Sequence, residues 1–253
     1  GKLIVSIYNK TLGNYTMKVA SKIIIDTFGY ASTSRVAWKY PIVAIPTPVD
    51  ANIFKPDLKS GLDIRKRYNL AENEFVALFV GRLVPHKGLE YFIRSAKYTN
   101  AKYLIVGEGE LRTKLEKIVV AENLTNRIIF TGKVSDKELP NYYNACDVLI
   151  LPSISRLEAM GIVVLEALAC AKPAIVSNIP GVKEMVIDGK DGLHVEPMNE
   201  KALADKINYL AEHSELCKEL GKRGREKIIQ ELTWDKVIDK IEKVYLEVVE
   251  NAR

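Results

Sequence analysis

Short, unbroken apolar runs alternate with stretches of helical periodicity through most of the chain. Phe75-Val-Ala-Leu-Phe-Val80, Tyr103-Leu-Ile-Val106, Val148-Leu-Ile-Leu151 and Ala174-Ile-Val176 have no polar face. Runs of that kind predict strands buried on both sides, as in a parallel sheet covered by helices. The pattern places strands at residues 75–80, 102–106, 127–130, 147–151, 174–176 and 193–195. Helices are predicted between them at 62–68, 89–98, 111–121 and 136–144, with another starting near Gly161. The alternation predicts an α/β fold with a doubly wound, Rossmann-like parallel sheet. The end of the chain reads as helical over 200–211, 214–231 and 233–249, the last with Thr233 as N-cap before Trp234.

The first residues form a separate block. Ile4, Ile7, Tyr8, Leu12, Tyr15 and Val19 recur at helical spacing, and Lys22-Ile-Ile-Ile-Asp26 reads as a short strand. A stretch carrying Pro41, Pro46, Pro48 and Pro56 follows, with Val43-Ala-Ile45 as a further candidate strand. Such proline density marks a linker. The expected division is therefore a helix-plus-strand block at 1–45, a linker at 46–60, a ligand-binding domain at 61–232 and a helix at 233–253 that packs back on the first block.

Composition narrows the class. The 253 residues, 47% hydrophobic and 27% charged, suffice for one large core or two modest ones. The net charge of +5 is mild and its lysines and arginines are interleaved with acids, which argues against nucleic acid as a partner. Phosphorylated small molecules or an anionic membrane surface suit that charge. Cys146, Cys170 and Cys217 stand in apolar contexts without close spacing, as reduced core residues rather than metal ligands or disulfides. No apolar run approaches the ~18–20 residues of a membrane span. The expected location is cytoplasmic, with peripheral contact to the inner membrane face allowed. A start at Gly1, directly in helical periodicity, reads as part of a longer protein, and the abundance of Lys, Glu and Ile beside a lone Gln230 suits a thermophile.

The candidate chemistry clusters after strand ends, where ligands bind in open α/β sheets. Glu158 and Glu166 flank Gly161 just beyond the 147–151 run. On one continuous helix they would lie roughly 80° apart, so they do not share a tight face. With the helix starting near Gly161, Glu158 falls in the preceding loop and Glu166 about one turn in. Both then border the helix N-terminus, where free N–H groups favour a phosphate. Glu166 sits among Ile162, Val163, Val164, Leu165 and Ala167, so its charge needs a partner: ligand hydroxyls, or a Lys or Arg. Chance spacing of two glutamates is the plainer alternative.

Gly81-Arg82 and Lys87-Gly88 could clamp a diphosphate, Arg82 as a planar fork and Lys87 as a point charge; a solvated turn is the alternative. Val106-Gly107-Glu108-Gly109 is a poor dinucleotide fingerprint, because Arg112 stands at the third glycine position. Gly132-Lys133-Val134 could offer backbone groups to a nucleobase or be an ordinary loop.

Taken together these residues resemble the retaining glycosyltransferases of family 4, which have the two-domain GT-B fold. Gly81-Arg82, Lys87-Gly88, Val106-Gly-Glu-Gly109, Phe130-x-Gly132-x-Val134, Pro152-Ser153, and Glu158 and Glu166 with Gly161 stand in the family's order and spacing. Pro173, Gly181 with Glu184, Asp188-Gly-x-x-Gly192 and Pro197 continue the series. The resemblance implies a C-terminal donor-binding domain. Arg82 and Lys87, beside Gly81, would hold the diphosphate of a UDP- or GDP-hexose, and Val134 would meet the base. Glu166 would bind the ribose. Glu158, with the backbone of Ala159, Met160, Gly161, Ile162 and Val163, would orient the sugar. Arg82, Lys87 and Glu158 are thus the implied catalytic residues, with no metal and no cofactor required. The implied acceptor is a sugar, lipid or polysaccharide.

Two departures stand out: Thr47-Pro48 where the family often has Asn-Gly, and Ala171 where it has glycine. Most of the acceptor domain is expected to lie upstream, so that the chain alone binds donor weakly and transfers little. A nucleotide-sugar binding module without turnover is the competing reading. A sugar-nucleotide epimerase of similar fold ranks behind it, lacking the additional carboxylates and histidines.

Overall fold

The computed structural model describes residue 8 and residues 11–34 and 39–251; Ile4 and Ile7 lie outside them. The main body is one six-stranded sheet with every neighbouring pair parallel. The chain first forms a small unit: α1 (Leu12–Val19), β1 (Ile23–Ile25), α2 (Phe28–Ser32) and β2 (Ile42–Ala44). Both short strands anticipated from the apolar triplets form. They pair with each other in parallel, Ile24 opposite Val43, as a sheet of their own. Helix α2 has no strong apolar period and escapes a sequence reading; it is started by Thr27, whose Oγ1 accepts the Tyr30 N–H at 3.1 Å.

The larger unit runs α3 (Leu58–Arg67), β3 (Val76–Val80), α4 (Leu89–Ser95), β4 (Lys102–Val106), α5 (Arg112–Ala121), β5 (Ile128–Gly132) and α6 (Leu139–Ala145). It continues with β6 (Val148–Leu151), α7 (Ile162–Ala169), β7 (Ala174–Ser177), β8 (Gly192–Val195), α8 (Glu200–Glu212) and α9 (Ser214–Glu231). Helix α3 starts four residues earlier than its apolar period suggests, because Asp57 caps it and accepts the Ser60 N–H. Helix α6 starts later than expected. Residues 136–138 are spent in a turn, closed by Ser135 Oγ accepting the Glu138 N–H, before Pro140 takes its place in the first turn of the helix.

Strand order is β5-β4-β3-β6-β7-β8. The chain winds outward from β3 to β5, returns to β6 beside β3, and winds the other way. The crevice at the switch point is therefore above β3 and β6. Alternation along those strands builds two cores. Val76, Leu78, Val80, Leu149 and Leu151 face one layer with Tyr143, Val164 and Leu168. Ala77, Phe79, Val148 and Ile150 face the other with Leu89, Phe92, Leu115 and Leu203. At the opposite end of the switch pair, Arg65 donates to the carbonyls of Ala145, Ala71 and Glu74 and pairs with Asp147 at 2.8 Å. Asp147 also accepts the Val76 N–H, so β3 and β6 are fixed in register beneath the crevice.

The last helix, α10 (Trp234–Glu250), leaves the large unit. Val237, Ile241 and Val244 recur at 4 and 3 residue steps on one face and pack against Val43 and Ile45 of the small unit. Thr233 occupies the N-cap position, but its hydroxyl makes no capping bond. Leu12, Tyr15 and Val19 of α1 remain exposed.

Candidate functional site

The switch-point crevice collects the sequence-predicted residues in two adjoining groups. In the first, Lys87 and Glu158 meet. The turn Pro85–Lys87 ends in Gly88, which lies against the Pro152 carbonyl so closely that a Cβ would overlap it. The approach brings the Lys87 ammonium to Glu158 Oε2 at 2.5 Å. Ser153 Oγ donates to the same carboxylate at 3.1 Å. Both members of the pair are largely shielded, with side chains 13% and 10% exposed, so neither charge could stand there alone. Gly81, at the end of β3, lies beside the Lys87 ammonium, 3.6 Å from where a Cβ would stand.

In the second group a recess of about 360 Å³ is lined by Val80, Gly81, Arg82, Val106, Lys133 and Val134, among others. Arg82 is exposed at its edge, and Val134 packs inward against the core. Glu166 stands near the loop after β5, where the Asp136 carboxylate, two residues past Val134, opposes its charge. Glu166 finds a partner that the sequence reading did not name: the buried Tyr143 hydroxyl donates to Oε2 at 2.5 Å. The partner is thus neither a Lys nor an Arg. Burial pushes the Glu166 carboxyl above its ordinary range, the Tyr143 bond pulls it back, and Asp136 adds to the rise. Burial first, then Glu166, hold the Tyr143 phenol well above its usual value, so it stays a donor.

Between the groups, α7 begins after Gly161, which has φ 80° and presses on Leu151 where no Cβ fits. That left-handed residue breaks the chain direction so that Glu158 lies in the loop and Glu166 on the helix. The helix is less buried than its all-apolar sequence implies: Ile162 is exposed, and Val163 and Glu166 are half-buried, since the first turn borders the open crevice. Ala159, Met160 and Gly161 form the loop end, with Met160 turned into the core. Tyr143 and Ser153 are the residues the sequence reading left without a role; the apolar surroundings of Glu166 signalled that a partner was needed, but not which one.

The three cysteines are free and buried. Burial raises the Cys146 and Cys217 thiols to about 12 and Cys170 higher still, which keeps all three neutral. Among the described residues no group of three or more His, Cys, Asp or Glu side chains is placed to hold a metal ion, and no helix is long and apolar enough to cross a membrane.

An open parallel sheet, reversed at its centre and followed by a helix that returns to a second small unit, defines the GT-B class of glycosyltransferase folds. Sucrose-phosphate synthase from Thermosynechococcus elongatus superposes with a TM-score of 0.84 at 27% identity, over 95% of this chain and 61% of that one. Residues 62–227 match the family of glycosyl transferases group 1, and the chain belongs to that family. It is 36% identical over 188 residues to an uncharacterized glycosyltransferase of Methanocaldococcus jannaschii, covering 74% of this chain and 52% of that protein. It is 34% identical over 220 residues to the UDP-Gal:alpha-D-GlcNAc-diphosphoundecaprenol alpha-1,3-galactosyltransferase of Escherichia coli, covering 83% and 55%. The chain thus spans about half the length of these relatives.

Proposed function

We propose that this chain carries the donor-binding half of a retaining hexosyltransferase that uses a UDP- or GDP-sugar. The observation that carries the reading is the meeting of Lys87, Glu158, Ser153 and Gly81 at the switch point, next to the recess edged by Arg82 and Val134. A nucleotide fits this layout with its base against Val134 and its ribose hydroxyls on Glu166. The diphosphate then lies by Arg82, Lys87 and the first amides of α7.

The chemistry follows from where charge develops. As the bond from sugar to phosphate breaks, negative charge builds on the leaving diphosphate. Fixed cations and helix N–H groups stabilise it more than they stabilise the intact donor. Glu158 is held still by Lys87 and Ser153 and presents its carboxylate to sugar hydroxyls. Arg82, exposed and not committed to an ion pair among the described residues, is free to take a phosphate oxygen. In a single displacement with retention the acceptor attacks from the face the diphosphate leaves. The acceptor is proposed to be a sugar, lipid or polysaccharide; the name of the E. coli relative specifies a diphosphoundecaprenol-linked sugar. A lipid acceptor would place the protein at the inner membrane surface.

Calorimetric titration of UDP, GDP and ADP against the wild type, Arg82→Ala and Glu166→Ala tests the site. One nucleotide is expected to bind, with each substitution weakening it at least about tenfold, or about 1.4 kcal/mol. Absence of binding by all three, or indifference to both substitutions, removes the assignment.

A further inference from the structure

Helix α2 of the small unit is held from two sides by side chains of the large one. Glu184, in the turn after β7, accepts the Gly29 N–H on Oε2 at 2.9 Å and the Gly181 N–H on Oε1 at 3.2 Å. One carboxylate therefore joins backbone groups that lie about 150 residues apart in sequence, one in the small unit and one in the large. Gly181 rests directly on the Ala159 carbonyl, where a Cβ would overlap it, and Tyr30 Cβ stands 3.3 Å from that same position. From the other side Arg156 donates to the Thr33 carbonyl and lies 5.5 Å from the centre of the Tyr30 ring. Arg156 and Ala159 bracket Glu158.

From this geometry we infer that Glu184 is a positioning residue: it clips α2 onto Gly181 and Ala159 and so sets the loop carrying Glu158 only when the two units are docked. This rests on the role given to Glu158 above. The clip separates two parts of donor recognition. The recess formed by Arg82 and Val134 lies on the large unit alone and does not need α2. The loop carrying Glu158 touches α2 directly through Arg156 and indirectly at Ala159, through Gly181 and its neighbour Tyr30, and the sugar would sense its position.

Three variants test the inference. Glu184→Ala removes both acceptors. Glu184→Gln keeps one carbonyl oxygen and turns an amide NH₂ toward the other N–H. Gly29→Ala leaves Glu184 in place but puts a methyl where its carboxylate stands, although alanine otherwise favours a helix. Hydrogen exchange at residues 29, 156–161 and 181 is measured together with calorimetry of UDP, UDP-glucose, GDP and GDP-mannose. Glu184→Ala and Gly29→Ala are expected to speed exchange at 156–161 at least tenfold. They are also expected to weaken the nucleotide-sugar at least tenfold while leaving the free nucleotide within about twofold; Glu184→Gln should fall between. Unchanged exchange at 156–161, or equal losses for nucleotide and nucleotide-sugar, overturns the clip. If no nucleotide binds the wild type, the proposed function fails instead, and the exchange measurement alone decides whether Glu184 orders the loop.

Discussion

Removing the Tyr143 hydroxyl probes how Glu166 is held. The phenol donates to Oε2 across 2.5 Å, and its ring is fully buried, edge-on to Phe54 with centroids 5.8 Å apart. Tyr143→Phe keeps the ring and deletes only the donor. A hydrogen bond to a charged group contributes about 1.5–3 kcal/mol. Because Glu166 is half-exposed, about 1–2 kcal/mol is the expected loss at neutral pH. Urea unfolding of the wild type, Tyr143→Phe, Glu166→Gln and the double variant reads this as a cycle. In the Glu166→Gln background the tyrosine change should cost about 0.5–1 kcal/mol, as for a neutral acceptor. The pH dependence has a fixed sign. Burial raises the Glu166 carboxyl above its ordinary 4.5, so the folded protein keeps a proton that the unfolded chain has released. The contribution of Glu166 to stability is therefore complete below 4.5 and declines as pH rises through the raised folded value. Tyr143 opposes that rise, so its loss lifts the carboxyl further and the penalty grows as pH rises above 4.5 through the raised folded value. A Tyr143→Phe protein as stable as the wild type at pH 7, or one whose penalty is flat across that range, would refute the argument.

Lys87→Met should cost about 3–5 kcal/mol in urea unfolding, because it strands the shielded Glu158 charge; adding Glu158→Gln should restore most of it, and no recovery would mean that the pair is not the cause. Ala171, the residue after the α7 C-cap, has φ 56°, a left-handed conformation in which a Cβ is strained. Ala171→Gly should therefore raise the urea midpoint by the equivalent of about 0.5–1 kcal/mol, and a lower midpoint would contradict the strain.

That last position shows what sequence could and could not convey. The related family has glycine there and this chain does not, a discrepancy visible in the residues. Its meaning appears only once Ala171 and Lys172 close the helix end, donating to the carbonyls of Leu168 and Ala167. The inner strands β3, β4, β6 and β7 were legible because they are buried on both faces, and such a strand is apolar along nearly all its length. Helix α2 was not, because it depends on Thr27 and on contacts with Glu184; β1 and β2 were legible as strands, but their pairing with each other was not.

For the site, the sequence by itself determined which residue types stand after which strands, and that Glu166 in an apolar helix must have a partner. A helix start near Gly161 was the reading of the spacing that let both glutamates border one site, with chance spacing beside it, and the left-handed Gly161 supplies that break. What only the tertiary structure decided was the partnership. Lys87 and Glu158 are 71 residues apart and Tyr143 and Glu166 23 apart, joined because β6 returns to lie beside β3 and because α6 and α7 share one face of the sheet. Local periodicity fixes which way a side chain faces on its own element. The return of the chain at the switch point fixes what it meets, and that return is selected by the packing of the whole sheet rather than by any one segment.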